Sequence, residues 1–283
     1  STLAAGAWAS GGDLNTARGQ GAQAGTQTAG LVGAGAAPAT VNAETYDGSS
    51  WTEVANLSTP RGYNTGAGTQ TAALSVGGGP GSAPNYGAVV EKWNGTSWTE
   101  VGDLNTVRRE AGGNGATNTA AITYGGETPA SDKDTDLTES WDGSTWTEVG
   151  DLNTGRAILM GQGPATSVTA AGGHTGTAYS AAAETWNGTA WAEVGDLNTA
   201  RTMGGAAGTS SSSQLFFGGS TPPVSALTEE YDGVAWTEVA DLATARQQGT
   251  GFGTTTFAVL AGGGVVVTTE EWTMAQNVEV ITD

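Results

Sequence analysis

Nucleophilic, acid–base or metal chemistry needs particular side chains, and this chain of 283 residues offers few: one histidine, His174, and no cysteine. Thiol catalysis, disulfides and Cys-zinc sites are therefore excluded, and a Ser-His-Asp arrangement would have to be built on His174 alone. Six arginines (Arg18, Arg61, Arg108, Arg156, Arg201, Arg246) and six glutamates (Glu44, Glu91, Glu139, Glu184, Glu229, Glu270) stand at repeated positions, and only Arg109 falls outside that pattern. An arginine cluster for a sialidase-like site is thus missing. A glycosidase carboxylate pair is compatible with composition, yet every suitable Glu is a repeat position. Calcium ligation by the recurring Asp13, Asp103, Asp151, Asp196 and Asp241 lacks the dense carboxylate spacing of a dedicated loop. The residues predict a protein that is not an enzyme and carries no cofactor and no metal.

The elements that hold these side chains are read from a recurring phrase, Trp98-Thr-Glu-Val-Gly-Asp-Leu-Asn-Thr-Val-Arg108. Copies begin at Trp8, Trp51, Trp146, Trp191 and Trp236, at spacings of 43, 47, 48, 45 and 45 residues. Such a period marks a solenoid or a propeller. Each copy divides into four short apolar runs, A to D, separated by turn residues. All ten Trp fall on two positions, one in run D and one in run C, where Tyr46 and Tyr231 replace Trp twice. Large aromatics at these positions read as packing between neighbouring blades, in preference to a row of sugar-stacking platforms. Run A is built from small residues, as in Gly204-Gly205-Ala206-Ala207-Gly208, which suits an innermost strand near an axis. Asp-Gly or Asn-Gly between C and D predicts a tight type I′ hairpin.

An apolar strand ending in a glycine doublet (Gly77-Gly78, Gly125-Gly126, Gly172-Gly173, Gly218-Gly219, Gly262-Gly263), followed by an aromatic and a Trp, resembles the kelch repeat. That resemblance implies an all-β, six-bladed β-propeller with four antiparallel strands per blade. The first copy departs from it, with Gly33-Ala34-Gly35, and the C–D turn is shorter than usual. Copper oxidases that carry kelch repeats use two His and a Cys-linked Tyr, which this chain cannot supply. The wording of the repeats also resembles kelch-like proteins of tailed phages of marine bacteria. It implies a structural or adhesive virion component that contacts other virion proteins or a host-surface glycan or protein, within a larger, oligomeric assembly.

Residues 1–283 are expected to form a single domain closed by the strand around Trp8, which completes the last blade. A competing closing strand is Asn277-Val-Glu-Val280, so 273–283 stands as an extra outer strand or a partner-contacting tail. The Arg and Glu series reads as structural pairs locking adjacent blades; an anion-binding ring at one channel mouth is the alternative. Outer Glu53, Glu100, Glu148, Glu193 and Glu238 read as solvated edge charges. The recurring Asp before Leu is expected to bond within its own turn.

Function is expected on the B–C loops, where near-identical copies differ most: Asn85 and Tyr86; Asp132, Lys133 and Asp134; His174 and Tyr179; Pro222 and Pro223. His174 itself reads as a loop residue. Net charge of −19 argues against nucleic acid. No charged segment followed by a long apolar core suggests a secretion signal, and no apolar run is long enough for a membrane span. A lectin-like propeller and an intracellular adaptor for a peptide remain the alternatives to the virion reading.

Overall fold

The computed structural model describes residues 6–36, 38–80, 86–129 and 133–274. The all-β, six-bladed reading is borne out. After β1 (Ala7–Ser10) the chain builds blade 1 from β2 (Ala22–Thr26), β3 (Ala29–Gly33), β4 (Ala43–Tyr46) and β5 (Trp51–Val54). Blade 2 is β6 (Thr65–Thr69), β7 (Ala72–Gly78), β8 (Gly87–Trp93) and β9 (Trp98–Glu100). Blade 3 is β10 (Gly112–Thr117), β11 (Ala120–Tyr124), β14 (Thr138–Trp141) and β15 (Trp146–Glu148), with a small ribbon of β12 (Glu127–Thr128) and β13 (Lys133–Asp134) inserted in its B–C loop. Blade 4 has β16 (Val168–Ala171), β17 (Ala183–Trp186) and β18 (Trp191–Val194); blade 5 has β19 (Gly205–Ser210), β20 (Ser213–Phe217), β21 (Thr228–Tyr231) and β22 (Trp236–Val239). Blade 6 is β23 (Thr250–Gly253), β24 (Phe257–Gly263) and β25 (Val266–Thr273), completed on its outer edge by β1.

Closure follows the expected register, with Trp8 opposite Trp272 and Ser10 opposite Glu270. The competing segment 277–280 lies outside the described residues. The inner strands touch in a ring, β2 lying against both β6 and β23. Blade 4 departs from the pattern. Its innermost segment makes only an isolated bridge, Met160 to Ala171.

The C–D hairpins are a correction. Tyr46 faces Trp51 and Trp93 faces Trp98, so the connection has four residues, and positive φ is confined to its glycines, at 92° to 99°. Asp or Asn is used for its side chain. Oδ1 of Asp47 accepts the N–H groups of Ser49 and Ser50, and Asn94, Asp142, Asn187 and Asp232 repeat the arrangement. These donors, Ser50 N–H first, pull the Asp47 carboxyl down to about 2.

Between blades the indoles form the core. Trp141 and Trp146 of blade 3 pack with Leu74, Val76 and Val90 of blade 2. Each such ring buries ~150–250 Å², on the order of 4 kcal/mol or more of transfer free energy before entropy is charged. The run-D indole N–H has a rule of its own. Trp8, Trp51 and Trp191 donate at 3.1 Å to Thr228, Thr269 and Thr138 of the preceding blade. Where that position is Ala43, Val90 or Ala183, the Nε1 of Trp98, Trp146 and Trp236 has no partner. Thr138→Val, which keeps the shape and removes the acceptor of Trp191, is expected to cost about 1–2 kcal/mol in urea unfolding.

Candidate functional site

The Arg and Glu series is built first by the backbone. In each crossover between blades the Arg carbonyl accepts an N–H from the second residue of the doublet behind it: Gly35 to Arg61, Gly78 to Arg108, Gly126 to Arg156, Gly173 to Arg201, Gly219 to Arg246 and Gly263 to Arg18. A Cβ on Gly125 would sit 2.4 Å from the Arg156 carbonyl oxygen, so glycine eases the approach there without being obligatory at this position. In the first copy the equivalent pair is Ala34-Gly35, with Ala34 at φ 59°.

The Arg side chain then turns forward into the next blade. Arg18, Arg61, Arg108, Arg156, Arg201 and Arg246 pair with Glu44, Glu91, Glu139, Glu184, Glu229 and Glu270 at 2.5 to 2.9 Å, every pair buried. Nη1 donates to strand carbonyls, as Arg108 does to Leu137 at 2.8 Å. The second Glu oxygen takes the crossover backbone and its Asn: Glu44 Oε2 accepts from Asn15 N and Nδ2, and that Nδ2 also donates to the Trp51 carbonyl. Burial lowers the Arg pKa values, and the facing Glu opposes that shift. These arginines do not face an open channel, so they cannot form an anion ring. The Asp before Leu also differs from expectation: Asp151 and Asp241 accept the N–H of Thr138 and Thr228, back on the C strand of their own blade.

The channel mouth is lined by residues that the sequence reading passed over. Two positions after each repeat Arg stand Gln20, Tyr63, Glu110, Ile158, Met203 and Gln248, all left-handed with φ between 51° and 63°. Non-glycine residues rarely hold this conformation, a β-branched Ile least of all. Their main chains link around the axis: Gln20 N–H to Gln248 O, Glu110 to Tyr63, Ile158 to Glu110, Met203 to Ile158, and Gln248 to Met203, at 2.6 to 3.4 Å. They ring an open cavity lined by all six blades, with Glu110 the one charged residue on its wall. The available signal was variability: this position takes five residue types in six copies, two residues after an Arg that never changes.

One sector of this face, from blades 2 to 4, gathers the off-repeat side chains. Arg109 Nε and Nη2 both donate to Glu127 Oε2, at 2.9 and 2.5 Å, and its guanidinium lies 5.7 and 5.2 Å from the ring centres of Tyr63 and Tyr86. Burial works against the Arg109 charge, but the Glu127 bond and the charges of Glu110 and Glu127 outweigh it and raise its pKa. Burial first, then Glu127 and Asp134 against the pull of Arg109, pushes the Glu110 carboxyl up to about 7.

On blade 4, His174 Nδ1 accepts the Gly176 N–H at 3.0 Å, lies 3.6 Å from Asp134 Oδ2, and its ring meets Tyr179 edge-on at 5.8 Å. With Nδ1 accepting, the neutral ring carries its proton on Nε2. Asp134 Oδ2 is buried without a hydrogen bond. Asp134, His174 and Tyr179 therefore come together on the loop face, and Tyr86 belongs to the same sector through Arg109 and Glu127, which lies opposite Asp134 in the ribbon. Pro222 and Pro223 lie exposed in the separate loop of blade 5. Asn85 and Asp132 lie outside the described residues, and Lys133 is described only by its backbone in β13.

No protein-family model matches this chain, and no curated protein matches its sequence. Among solved structures, YjhT is similar in fold at a TM-score of 0.74, with 14% identity over 92% of this chain and 95% of that one. At that identity the likeness concerns the propeller fold alone.

Two outcomes follow. Arg156→Met, which strands Glu184, is expected to cost about 3–5 kcal/mol by chemical denaturation. Glu110 binds its proton more tightly folded than unfolded, so its contribution to stability is greatest at low pH and falls as pH rises from about 4.5 to about 7. Glu110→Gln is therefore expected to raise the melting temperature at pH 8 and leave it unchanged at pH 4, by calorimetry.

Proposed function

We propose that this protein is a non-catalytic binding propeller, a structural or adhesive module that presents the blade 2 to 4 sector of its loop face to a partner. The observation that carries this reading is the gathering of off-repeat residues there. Tyr63, Tyr86, Arg109, Glu127, Asp134, His174 and Tyr179 stand on a frame whose recurring Arg and Glu are paired with one another in holding it together. Aromatic and Arg side chains at a rigid surface are the usual anchors of an interface. The non-catalytic reading is supported by the engagement of Arg109 with Glu127 and of His174 Nδ1 with Gly176.

The context we propose is display on a phage particle, touching other virion proteins or a host-surface glycan or protein. The kelch-like wording of the repeats and its likeness to phage proteins support it, and the charge of −19 suits a soluble, non-aggregating display. A carbohydrate ligand is the second reading, favoured by Tyr86 and Tyr179 beside polar and charged groups. Tyr86→Ala with Tyr179→Ala is expected to weaken binding of purified protein to host cells at least about ten-fold without lowering stability, since hot-spot truncations cost about 2 kcal/mol or more. Saturable binding on a glycan array, lost in the same variant, would select the carbohydrate reading. Particles purified to homogeneity that never contain the chain by mass spectrometry would end the virion reading.

A further inference from the structure

We propose that the channel-mouth cavity is a binding site for a primary ammonium group, with the Glu110 carboxylate as its counter-ion. The inference rests on the loop face being the binding face and adds the chemistry of what enters its centre.

Three observations carry it. First, Glu110 makes no hydrogen bond or ion pair with its side chain among the described residues, whereas each of the six repeat Glu paired with Arg is fully compensated. The one nearby cation supports the Glu110 charge only from a distance. Arg109 is forked onto Glu127 and set against Tyr63 and Tyr86. A poorly solvated carboxylate without a partner is costly unless a cation is brought to it.

Second, two further polar groups of the same cavity are unpartnered. Asn64 is 5% exposed and its Oδ1 accepts nothing, while its Nδ2 is engaged by Ser75 and the Gly33 carbonyl. Thr250 is 3% exposed and its Oγ1 has no partner. Both line the cavity that Glu110 faces. Of these acceptors the Glu110 carboxylate is the one a guest can reach, since the Asn64 and Thr250 oxygens carry almost no accessible surface, and –NH₃⁺ offers it a charge and three donors.

Third, the wall beside Glu110 is apolar: the Ile158 N–H bonds the Glu110 carbonyl and Met203 follows it around the ring. Ile158 and Met203 complete the ring and can cover the methylene stem behind an ammonium head. The acidic chain as a whole also attracts a cation to the mouth.

The groups around Glu110 decide how binding depends on pH. Glu127 and Asp134 disfavour its charge and Arg109 favours it; Tyr63 gives it only a carbonyl, to the Glu110 N–H, and His174 stands behind Asp134. Glu110 must be ionised to hold an ammonium, so affinity is expected to fall as pH drops through about 7.

The test titrates the intact chain with n-butylammonium chloride and with Nα-acetyl-lysine methylamide, followed by calorimetry and NMR shifts of residues lining the mouth. Neutral n-pentanol and glucose serve as controls. At pH 8 a dissociation constant of about 1 mM is expected, a usual strength for so small a ligand. At pH 5.5 affinity is expected to be about 30-fold weaker, in proportion to the ionised fraction.

Glu110→Gln is expected to fold, because Gln20 and Gln248 occupy the same left-handed position in other blades, and to weaken ammonium binding at least about ten-fold. Tighter binding of the lysine compound would point to a protein side chain as the source, and tighter binding of butylammonium to a free amine. The proposal is overturned if pentanol or glucose binds as well as the ammonium, if Glu110→Gln binds as well as the parent, or if no ligand shifts the mouth residues at about 100 mM. None of these results bears on adhesion through Tyr86 and Tyr179, so the two readings fail separately.

Discussion

One buried ion pair, repeated six times, connects each blade to the next. The crossover Arg gives its carbonyl to the blade behind and its guanidinium to the Glu of the blade ahead, so a single residue is held by two sheets at once. An isolated pair of this kind is weak evidence for net stability, because desolvating two charges offsets most of their attraction. Here the remaining valences are also filled. The guanidinium Nη1 reaches strand carbonyls and the second carboxylate oxygen takes crossover N–H groups, so few of the freed lone pairs and protons go unused. The Nε atoms of Arg61, Arg156, Arg201 and Arg246 are the exception, buried without a partner. What the pair supplies above all is register: a Glu has one place to sit, and the crossover follows it.

That constraint explains why the phrase Asp-Leu-Asn-Thr-x-Arg is repeated nearly unchanged. The Leu is buried, as Leu14, Leu104, Leu152 and Leu197 are. The Asn ties Glu to the Trp carbonyl of the next outer strand, as Asn105 joins Glu139 to Trp146. Copies that lose the Asn lose both of its side-chain bonds and keep the backbone one: in the second copy Ser58 N–H reaches Glu91, and in the sixth Ala243 N–H reaches Glu270. Ring closure then needs no special device. β1 carries the same phrase from Trp8 onward, so the seam between β25 and β1 is made of the same parts as every other blade edge.

The architecture was legible because it is periodic, and periodicity in residue type becomes periodicity in contact. Run C and run D aromatics placed five apart had to face each other, and Tyr46 with Trp51 or Trp186 with Trp191 do so at 4.8 and 5.5 Å. What periodicity did not carry was conformation. Asp-Gly suggested a type I′ turn, but the side-chain oxygen of Asp can close a four-residue loop by itself, and the sequence does not distinguish the two. The glycine doublet suggested a strand end; that it eases the approach of an Arg carbonyl becomes visible only when the following blade is in place. The left-handed ring was hidden for a different reason. Left-handed positions announce themselves as Gly or Asn, and Gln, Tyr, Glu, Ile and Met at these sites give no such signal.

Repetition also says where to look for what is specific. A residue that recurs in every blade is accounted for by the frame, as the six Arg are. Chemistry peculiar to this protein has to come from positions at which the blades disagree. The B–C loops disagree in length and the mouth ring disagrees in residue, and the two sets meet between blades 2 and 4, where Arg109 links Glu127 of a loop ribbon to Tyr63 of the ring. That meeting leaves Glu110 as a charge on a strained backbone, beside an Arg already committed elsewhere. A frame that pairs six glutamates with six arginines, and gives this one no ion pair among the described residues, leaves its unmatched carboxylate on the wall of the channel-mouth cavity.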